Sequence, residues 1–256
     1  MMRIFAKNTM LALLTVAGLA ILTPGASAMT VQTNHDDIKI GLTYHGSTVS
    51  VSGMTDPNVD LIIKITTENG TEKLMRKDRA AGMWMNVEEI TLDQVPEVYY
   101  LRSTREPAKI LSTNEQNRYV IGYRALREKI DLKPAKPSEQ RAKLLDDFIK
   151  YKEDGKVYGE SLGDIDIKPD VNGESYYTAF DWPNKTPAGE YQVDVYAVND
   201  EAVVDQAESR VTVEPDGAVK SLSDMAQNNG AVYGLAAIAV SVTAGFGVGI
   251  VFKSGG

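Results

Sequence analysis

The sequence predicts a mainly β protein, with immunoglobulin-like β-sandwich units joined by a helical segment and followed by a single C-terminal transmembrane helix. Three observations support this fold class. Apolar and polar residues alternate over residues 31–105 and again over residues 156–219, as expected of half-buried strands. A helical period replaces this alternation within residues 106–155. Residues 231–252 contain no charge and no proline, and this run is about as long as the roughly 20 residues that cross a bilayer as a helix.

Residues 1–28 are predicted to be a signal peptide. Arg3 and Lys7 precede an apolar core, and the small-residue run 26–28 follows it, which is the pattern of a secretory signal with its cleavage site. We expect the mature chain to begin at Met29, and an uncleaved N-terminal anchor is the alternative. Export of the body and the cation Lys253 after the last apolar run together predict a single-pass protein of the inner (cytoplasmic) membrane. Its bulk would be periplasmic and residues 253–256 would form a cytoplasmic tail.

The net charge and the absence of cysteine indicate which partners the protein can have and how an exported body is stabilised. The formal net charge is −8, which argues against nucleic acid as a partner. The chain contains no cysteine, so an exported body must be held together by core burial rather than by disulfides.

Residues 29–105 are predicted to form the first β-sandwich unit. Short alternating runs are separated by turns, and the run 61–66 is apolar enough for a more buried strand. The Asn69-Gly70 pair predicts a hairpin turn over residues 68–71, because both residues tolerate positive φ.

A run of cations interrupts this unit close to a tryptophan. Arg76, Lys77 and Arg79 precede Trp84, and one interpretation is an anion- or ligand-binding edge in which Arg79 supplies a bidentate fork. The other interpretation, which we favour, is a solvated turn with Trp84 buried in the sandwich core.

Residues 106–155 are predicted to be a helical connector. Tyr119, Tyr123, Leu126 and Ile130 lie at helical spacing. Two prolines end this helix, and Ser138 is the predicted N-cap of a second helix that runs to the glycine at 155. We expect both helices to pack on the β units, with partner docking as the alternative.

Residues 156–219 are predicted to form the second β-sandwich unit, which either stands alone or shares a core with the first. A cluster of oxygen-bearing side chains lies at its start: Asp164, Asp166, Asp170, Asn172 and Glu174. Calcium takes such ligands, but the spacing lacks the EF-hand order, so we predict no metal site.

Residues 220–230 are predicted to be a polar linker, and residues 231–252 the transmembrane helix. Ala237, Ser241, Gly245 and Gly249 recur every four residues, so they share one helix face. Small residues let two helices approach closely in lipid. We therefore predict self-association, or association with another membrane protein, through this face.

The sequence lacks the usual signatures of catalysis. Only two histidines occur, His35 and His45, and there is no cysteine nucleophile, no H-E-x-x-H, no G-x-S-x-G and no P-loop. We predict a non-enzyme without a cofactor, and a hydrolase built on carboxylates alone is a remaining alternative.

The chain resembles the transmembrane protein family described mainly from alphaproteobacteria, a family without assigned biochemistry. The matching positions are Arg76, Arg79, Gly82, Trp84, Asn86, Val95, Pro96, Tyr99, Ser103, Arg105, Ile121, Gly122, Pro187, Ala188, Gly189, Glu190, Tyr191, Val193 and residues 233–237. The chain departs from the family at Glu97-Val98, where an aromatic is usual, and in an expanded stretch near Asp146. The resemblance implies a signal, a β-rich exported body and one C-terminal span. Members are often encoded near permeases of the sulfite-exporter type, which implies an accessory role in transport.

These observations lead to three functional hypotheses. The first is a membrane-anchored extracytoplasmic β-sandwich protein without catalysis, which acts as an interaction or accessory subunit of a membrane complex, for instance in transport. The second is a periplasmic anion- or ligand-binding module that uses Arg76, Lys77, Arg79 and Trp84. The third is the carboxylate-based hydrolase. The expected partners are the lipid bilayer and a membrane protein or a second copy of the chain.

Overall fold

A computed structural model of the protein describes residues 29–80, 82–182 and 186–253. The predicted signal peptide and residues 254–256 of the predicted tail lie outside this part of the chain. Within it, the protein is mainly β, as predicted, with one long apolar helix at the C-terminal end.

The described residues form thirteen strands and six helices. The strands are β1 (Gln32–Thr33), β2 (Asp37–Ile40), β3 (Ser47–Thr55), β4 (Asp60–Thr67), β5 (Asn69–Ala80), β6 (Met83–Pro96), β7 (Tyr99–Ser103), β8 (Asp131–Lys133), β9 (Tyr158–Leu162), β10 (Asp166–Asp170), β11 (Gly173–Trp182), β12 (Gly189–Asn199) and β13 (Ala202–Pro215). The helices are α1 (Pro107–Ile110), α2 (Thr113–Tyr119), α3 (Gly122–Lys129), α4 (Ser138–Asp154), α5 (Gly217–Asn228) and α6 (Gly230–Lys253).

The strands make three sheets. A four-stranded sheet has the order β1-β3-β11-β10, a six-stranded sheet the order β2-β13-β12-β4-β7-β9, and a three-stranded sheet the order β5-β6-β8. In the two larger sheets, strands from residues 29–105 pair directly with strands from residues 156–219, as β3 does with β11 and β4 with β12. The two parts of the sequence therefore fold around common sheets.

The six-stranded sheet is covered on both faces. In β4, Leu61, Ile63 and Ile65 face a core shared with the four-stranded sheet, while Ile62 faces a second core. The second core lies between the six-stranded sheet, the three-stranded sheet and helices α1–α4. Because both faces are buried, β4 reads as a continuous apolar run rather than an alternating one.

The predicted helix around residues 119–130 is divided in two. Helix α2 ends at Tyr119, Val120 adopts a left-handed conformation with φ 51°, and α3 begins at Gly122. The Tyr99 hydroxyl holds this break, because it donates to the Val120 carbonyl at 3.0 Å and accepts from the Gly122 N–H at 2.8 Å.

The second predicted helix is present as α4, but its predicted N-cap is wrong. Ser138 is the first helical residue, Pro137 flanks it, and no side chain caps the helix. The hairpin turn predicted at Asn69-Gly70 is also wrong, since Asn69 already pairs with Pro96 at the start of β5. Strand β4 has both of its edges occupied by β12 and β7, so the chain must leave for another sheet.

The C-terminal region contains two helices instead of a linker and one helix. Residues predicted to be a polar linker lie mostly in α5, and the predicted transmembrane run lies in α6. The segment Gly230–Ile250 has a mean hydropathy of 1.8, and none of it is buried against the rest of the described chain. Its length and composition suit a membrane span.

A close backbone approach at Gly53 gives a stability prediction. A Cβ at Gly53 would overlap the Thr30 carbonyl and lie 2.6 Å from the Tyr176 hydroxyl. We expect Gly53→Ala to lower the free energy of unfolding by about 1–3 kcal/mol, as overpacking does. Thermal or urea unfolding of the full-length protein in detergent measures this loss.

Gly41→Ala is the matched control, because a Cβ there meets nothing within 4 Å. We expect its effect to stay within about 0.5 kcal/mol. Equal stabilities of the two variants would contradict the packing of residue 30 on β3.

Candidate functional site

A buried ion pair lies at the centre of the six-stranded sheet. Lys64 of β4 and Asp194 of β12 are directly opposite each other, and their charged atoms are 3.2 Å apart. The Lys64 ammonium also donates to the Tyr119 carbonyl at 2.8 Å and to the Tyr196 hydroxyl at 3.1 Å, and Gln192 donates to Asp194 at 2.7 Å. Burial lowers the pKa of Lys64, and the neighbouring Asp194 carboxylate opposes this shift.

Burial of this ion pair removes two charges from water, so the stability of the fold depends on the groups that contact them. The two residues are only 8% and 4% exposed. Removing charges from water costs several kcal/mol unless hydrogen bonds and the opposite charge compensate. Here the lysine contacts a carboxylate, a carbonyl and a hydroxyl, so the pair is well compensated and ties the sheet to the end of α2.

A cleft of about 570 Å³ opens beside the ion pair, between the sheet and the end of α3. Thr66, Gln192 and Arg210 lie side by side across β4, β12 and β13 in its wall. Lys129 of α3 and the carboxylate Glu190 also line it. Neither Lys129 nor Arg210 forms an ion pair with any residue that the structure describes. The cleft therefore offers unpaired cations with amide, hydroxyl and carboxylate groups close by.

Glu160 of β9 lies against a group of tyrosines near the start of α3. Its carboxylate accepts the Tyr123 N–H at 2.6 Å. The residue as a whole is exposed, but desolvation of the carboxylate raises its pKa to about 7, and the Tyr123 N–H opposes this rise.

The sequence-predicted residues at 76–84 lie on a long hairpin formed by β5 and β6. Leu74 and Ile90 pack in the second core at the base of this hairpin. The part beyond them, residues 75–80 and 82–87, is here called the hairpin tip. Its strands stay paired up to Ala80 opposite Met83, with Arg79 opposite Trp84.

The cations of the hairpin tip differ in their surroundings. Arg76 is neutralised by Asp78 at 3.0 Å and by Glu88 at 3.4 Å. Arg79 lies over the Trp84 ring at 5.4 Å from its centroid. Neither Arg79 nor Lys77 has a salt-bridge partner within the described ranges. The structure thus brings Arg79 and Trp84 together and leaves two tip cations without an opposite charge.

The expectation that Trp84 is a core residue in a solvated turn is wrong. Trp84 is 67% exposed, and residues 76–80 belong to a strand. The core tryptophan is Trp182 of β11, which is 1% exposed and packs edge-on against Tyr191 at 4.8 Å between ring centroids. In the sequence, Tyr176, Phe180 and Trp182 share one face of a strand with period two, and this pattern indicates that position 182 is buried.

The hairpin tip exposes an unusual number of large apolar side chains. They are Met75, Met83, Trp84, Met85 and Val87, each at least 43% exposed. Cross-strand register places Met83 and Met85 opposite Ala80 and Asp78 on one face, and Trp84 on the other. The tip therefore exposes apolar side chains on both of its faces. Large apolar side chains gathered at one end of a hairpin mark an interaction site more often than isolated exposed residues do.

The four small residues predicted to form a packing face are found on the last helix. Ala237, Ser241, Gly245 and Gly249 all lie on α6, and the Ser241 hydroxyl donates to the Ala237 carbonyl at 2.8 Å. A Cβ at either glycine would meet nothing within 4 Å, and association through this face stays a prediction. In the described residues, no three histidine or acidic side chains lie close enough to hold a metal ion.

The architecture is that of a β-rich body followed by one apolar helix long enough to cross a membrane. The profile of the family described as "Putative transmembrane protein (Alph_Pro_TM)" matches residues 28–254. This match covers nearly the whole chain, and the chain belongs to that family. A search of curated proteins found none that matches the chain.

A double-mutant cycle tests the ion pair. We expect Lys64→Met or Asp194→Leu alone to lower the free energy of unfolding by about 3–5 kcal/mol, because each leaves a buried charge without its partner. The double variant should recover most of that loss. Urea unfolding of the four full-length proteins in detergent gives the coupling free energy.

The exposed pair Lys73 and Glu89, at 3.5 Å, is the matched control. Its coupling should not exceed about 1 kcal/mol, because solvent screens it. A coupling between Lys64 and Asp194 as small as that of the control would contradict a buried, compensated pair.

Proposed function

We propose that the protein is a non-catalytic, membrane-anchored interaction subunit whose hairpin tip docks on the extracytoplasmic surface of a membrane-protein partner. The observation that carries this proposal is the set of five large apolar side chains exposed on the two faces of the hairpin tip, beyond a base that packs in the second core. Membership in a transmembrane protein family supports the placement of this surface next to a bilayer.

The base of the hairpin is fixed to the helical layer. Leu74 and Ile90 pack into the second core, Lys152 of α4 lies 2.5 Å from Glu72, and Lys136 pairs with Glu88. A tip held by such a base loses little conformational freedom on binding, which favours affinity.

The chemistry of the tip suits a protein surface with an acidic rim. Tryptophan, methionine and arginine are enriched at the centres of interfaces, and methionine adapts its shape to the partner. Lys77 and Arg79 lack carboxylate partners within the described ranges, although the chain as a whole carries a net charge of −8. Acidic residues around an apolar pocket would complement both features.

The location proposed here is the inner membrane, with a periplasmic body and a cytoplasmic C-terminus. The secretory pattern of residues 1–28 and the cation Lys253 support this orientation. Met29, the predicted first residue of the mature chain, is buried, and its backbone nitrogen donates to the Asp205 carboxylate at 2.9 Å. A new α-ammonium group at this position would gain an opposite charge.

Site-specific photo-crosslinking in native membranes tests the tip. A photoreactive amino acid at Trp84 should give one discrete adduct with a membrane protein, and Lys77→Glu with Arg79→Glu should reduce its yield roughly tenfold by charge repulsion. Immunoblotting and mass spectrometry of the adduct provide the measurement.

Val171 is the control position. It is 94% exposed, and it lies between β10 and β11 of the four-stranded sheet, whereas the hairpin belongs to the three-stranded sheet. No adduct is expected there. An equal pattern of adducts at both positions, or adducts with lipid alone at Trp84, would refute docking of a protein partner at the tip.

The cleft beside Lys64 supports a second candidate function, the binding of a small anionic ligand. Its two unpaired cations, Lys129 and Arg210, share one lining with the side chains of Thr66 and Gln192, and the carboxylates Glu68 and Glu190 line it too, so an anion would have to bind on the side of the cations. A guanidinium group binds carboxylate or oxyanion groups in a bidentate manner. This cleft, rather than the hairpin tip, is the better built site for the ligand-binding alternative.

Thermal unfolding with sulfate, phosphate and glutamate as probes tests the cleft. A bound anion at about 100 times its dissociation constant stabilises the fold by about 2.7 kcal/mol, so the melting temperature should rise by several degrees with at least one probe. Arg210→Gln should abolish the rise, and Lys77→Gln at the hairpin tip should preserve it. A rise that survives Arg210→Gln, or no rise with any probe, would count against this function.

A further inference from the structure

Helix α5 has a sharply divided surface. Its apolar residues are Ala218, Val219, Leu222, Met225 and Ala226. At about 100° per residue these five positions fall within an arc of about 120°, and the polar residues of the helix occupy the rest. Such a stripe normally packs against a core.

The body of the protein does not cover this stripe. No residue of α5 is buried, and Leu222 at the centre of the stripe is 51% exposed. Val219 and Met225 are half-buried. The structure therefore leaves Ala218, Leu222 and Ala226 of the stripe exposed and covers Val219 and Met225 only in part.

The position of α5 in the chain restricts what can cover it. Asn229 alone separates α5 from α6, and its φ of −142° and ψ of 60° break the helical path. Asn229 still donates its N–H to the Met225 carbonyl at 2.9 Å and accepts the Tyr233 N–H at 3.0 Å. The two helices are thus joined by one non-helical residue, where the axis can turn.

The distance to the membrane follows from this connection. Helix α6 contains the apolar segment Gly230–Ile250, which suits a membrane span. A helix of 12 residues is about 18 Å long. All of α5 therefore lies within about 18 Å of the N-terminal end of α6, so a membrane that α6 spans is within reach of the whole helix.

We propose that α5 lies in the interface of the lipid bilayer, with its apolar stripe toward the acyl chains and its polar face toward water. Lipid therefore covers the stripe, and the covalent link to α6 keeps α5 next to the bilayer. Tyr233 in the first turn of α6 is 43% exposed and belongs to the residue type that prefers this depth. The proposal rests on α6 spanning the membrane and is independent of docking at the hairpin tip.

An interfacial α5 fixes the distance of the body from the membrane. At its other end, Asp216 alone separates α5 from β13, and the Asp216 N–H donates to the Ile40 carbonyl of β2 at 2.9 Å. Two single-residue connections therefore link the six-stranded sheet to the span through a helix that lies on the membrane. The body is held close to the surface instead of extending from a free tether.

Spin labelling gives a direct test because the chain contains no natural cysteine. Leu222→Cys and Asp224→Cys place a nitroxide on opposite sides of α5, both at exposed positions where the fold tolerates a label. The full-length protein is reconstituted in vesicles of phosphatidylcholine and phosphatidylglycerol. Power-saturation spectroscopy then compares collisions of each label with oxygen, which concentrates in lipid, and with a water-soluble nickel chelate.

We expect the ratio of oxygen to nickel collisions to be severalfold higher for the label at 222 than for the label at 224. Val242→Cys in α6 is the lipid-facing reference, and Val171→Cys in the body is the reference in water. Labels at 222 and 224 that both match the Val171 reference would overturn the proposal. A Val242 label accessible to nickel would overturn it too, by showing that α6 does not span the vesicle membrane.

Discussion

Burial of the six-stranded sheet on both faces is the constraint on which the rest of the structure depends. One face shares a core with the four-stranded sheet, and the other is covered by four helices and the three-stranded sheet. A polar group at a buried position of β4 or β12 must then find partners inside the protein, which is why Lys64, Asp194 and Tyr196 form a network. The pairing of both edges of β4 with β12 and β7 forces β5 into another sheet and so creates the hairpin that extends from the second core.

Each of the three surfaces of functional interest belongs to an element that the two cores leave at least partly exposed. The hairpin tip extends beyond the second core, so its methionines and Trp84 have no place to pack. The cleft forms where α3 ends over the sheet, between Lys129 and Arg210. Helix α5 follows the last strand and lies outside both cores. The hairpin tip and α5 are therefore exposed and available for the partner docking and the lipid contact that we propose.

The fold class and the apolar helix could be predicted from sequence because period two, the helical period and a long uncharged run are local signals. The errors arose where tertiary context decides. The pair Asn69-Gly70 strongly predicts a hairpin between β4 and β5. Both edges of β4 are already paired with β12 and β7, so β5 cannot pair with it. Trp182 ends an alternating stretch and Trp84 stands between two methionines, but only the packing of β11 in the first core shows that Trp182 is the buried tryptophan. Lys64 and Asp194 are 130 positions apart, so their pairing across β4 and β12 left no local trace apart from a charge in the interior of each apolar strand.

Hydrogen exchange of the full-length protein, compared between native membranes and purified protein in detergent, tests the central claim most directly. A rigid platform that docks through its hairpin predicts slow exchange in β4 and β12 in both preparations. Peptides from residues 76–88 should exchange more slowly in native membranes, where the partner covers them, than in detergent. Equally fast exchange of residues 76–88 in both preparations would contradict docking at the hairpin tip, and fast exchange in β4 would contradict the doubly covered sheet.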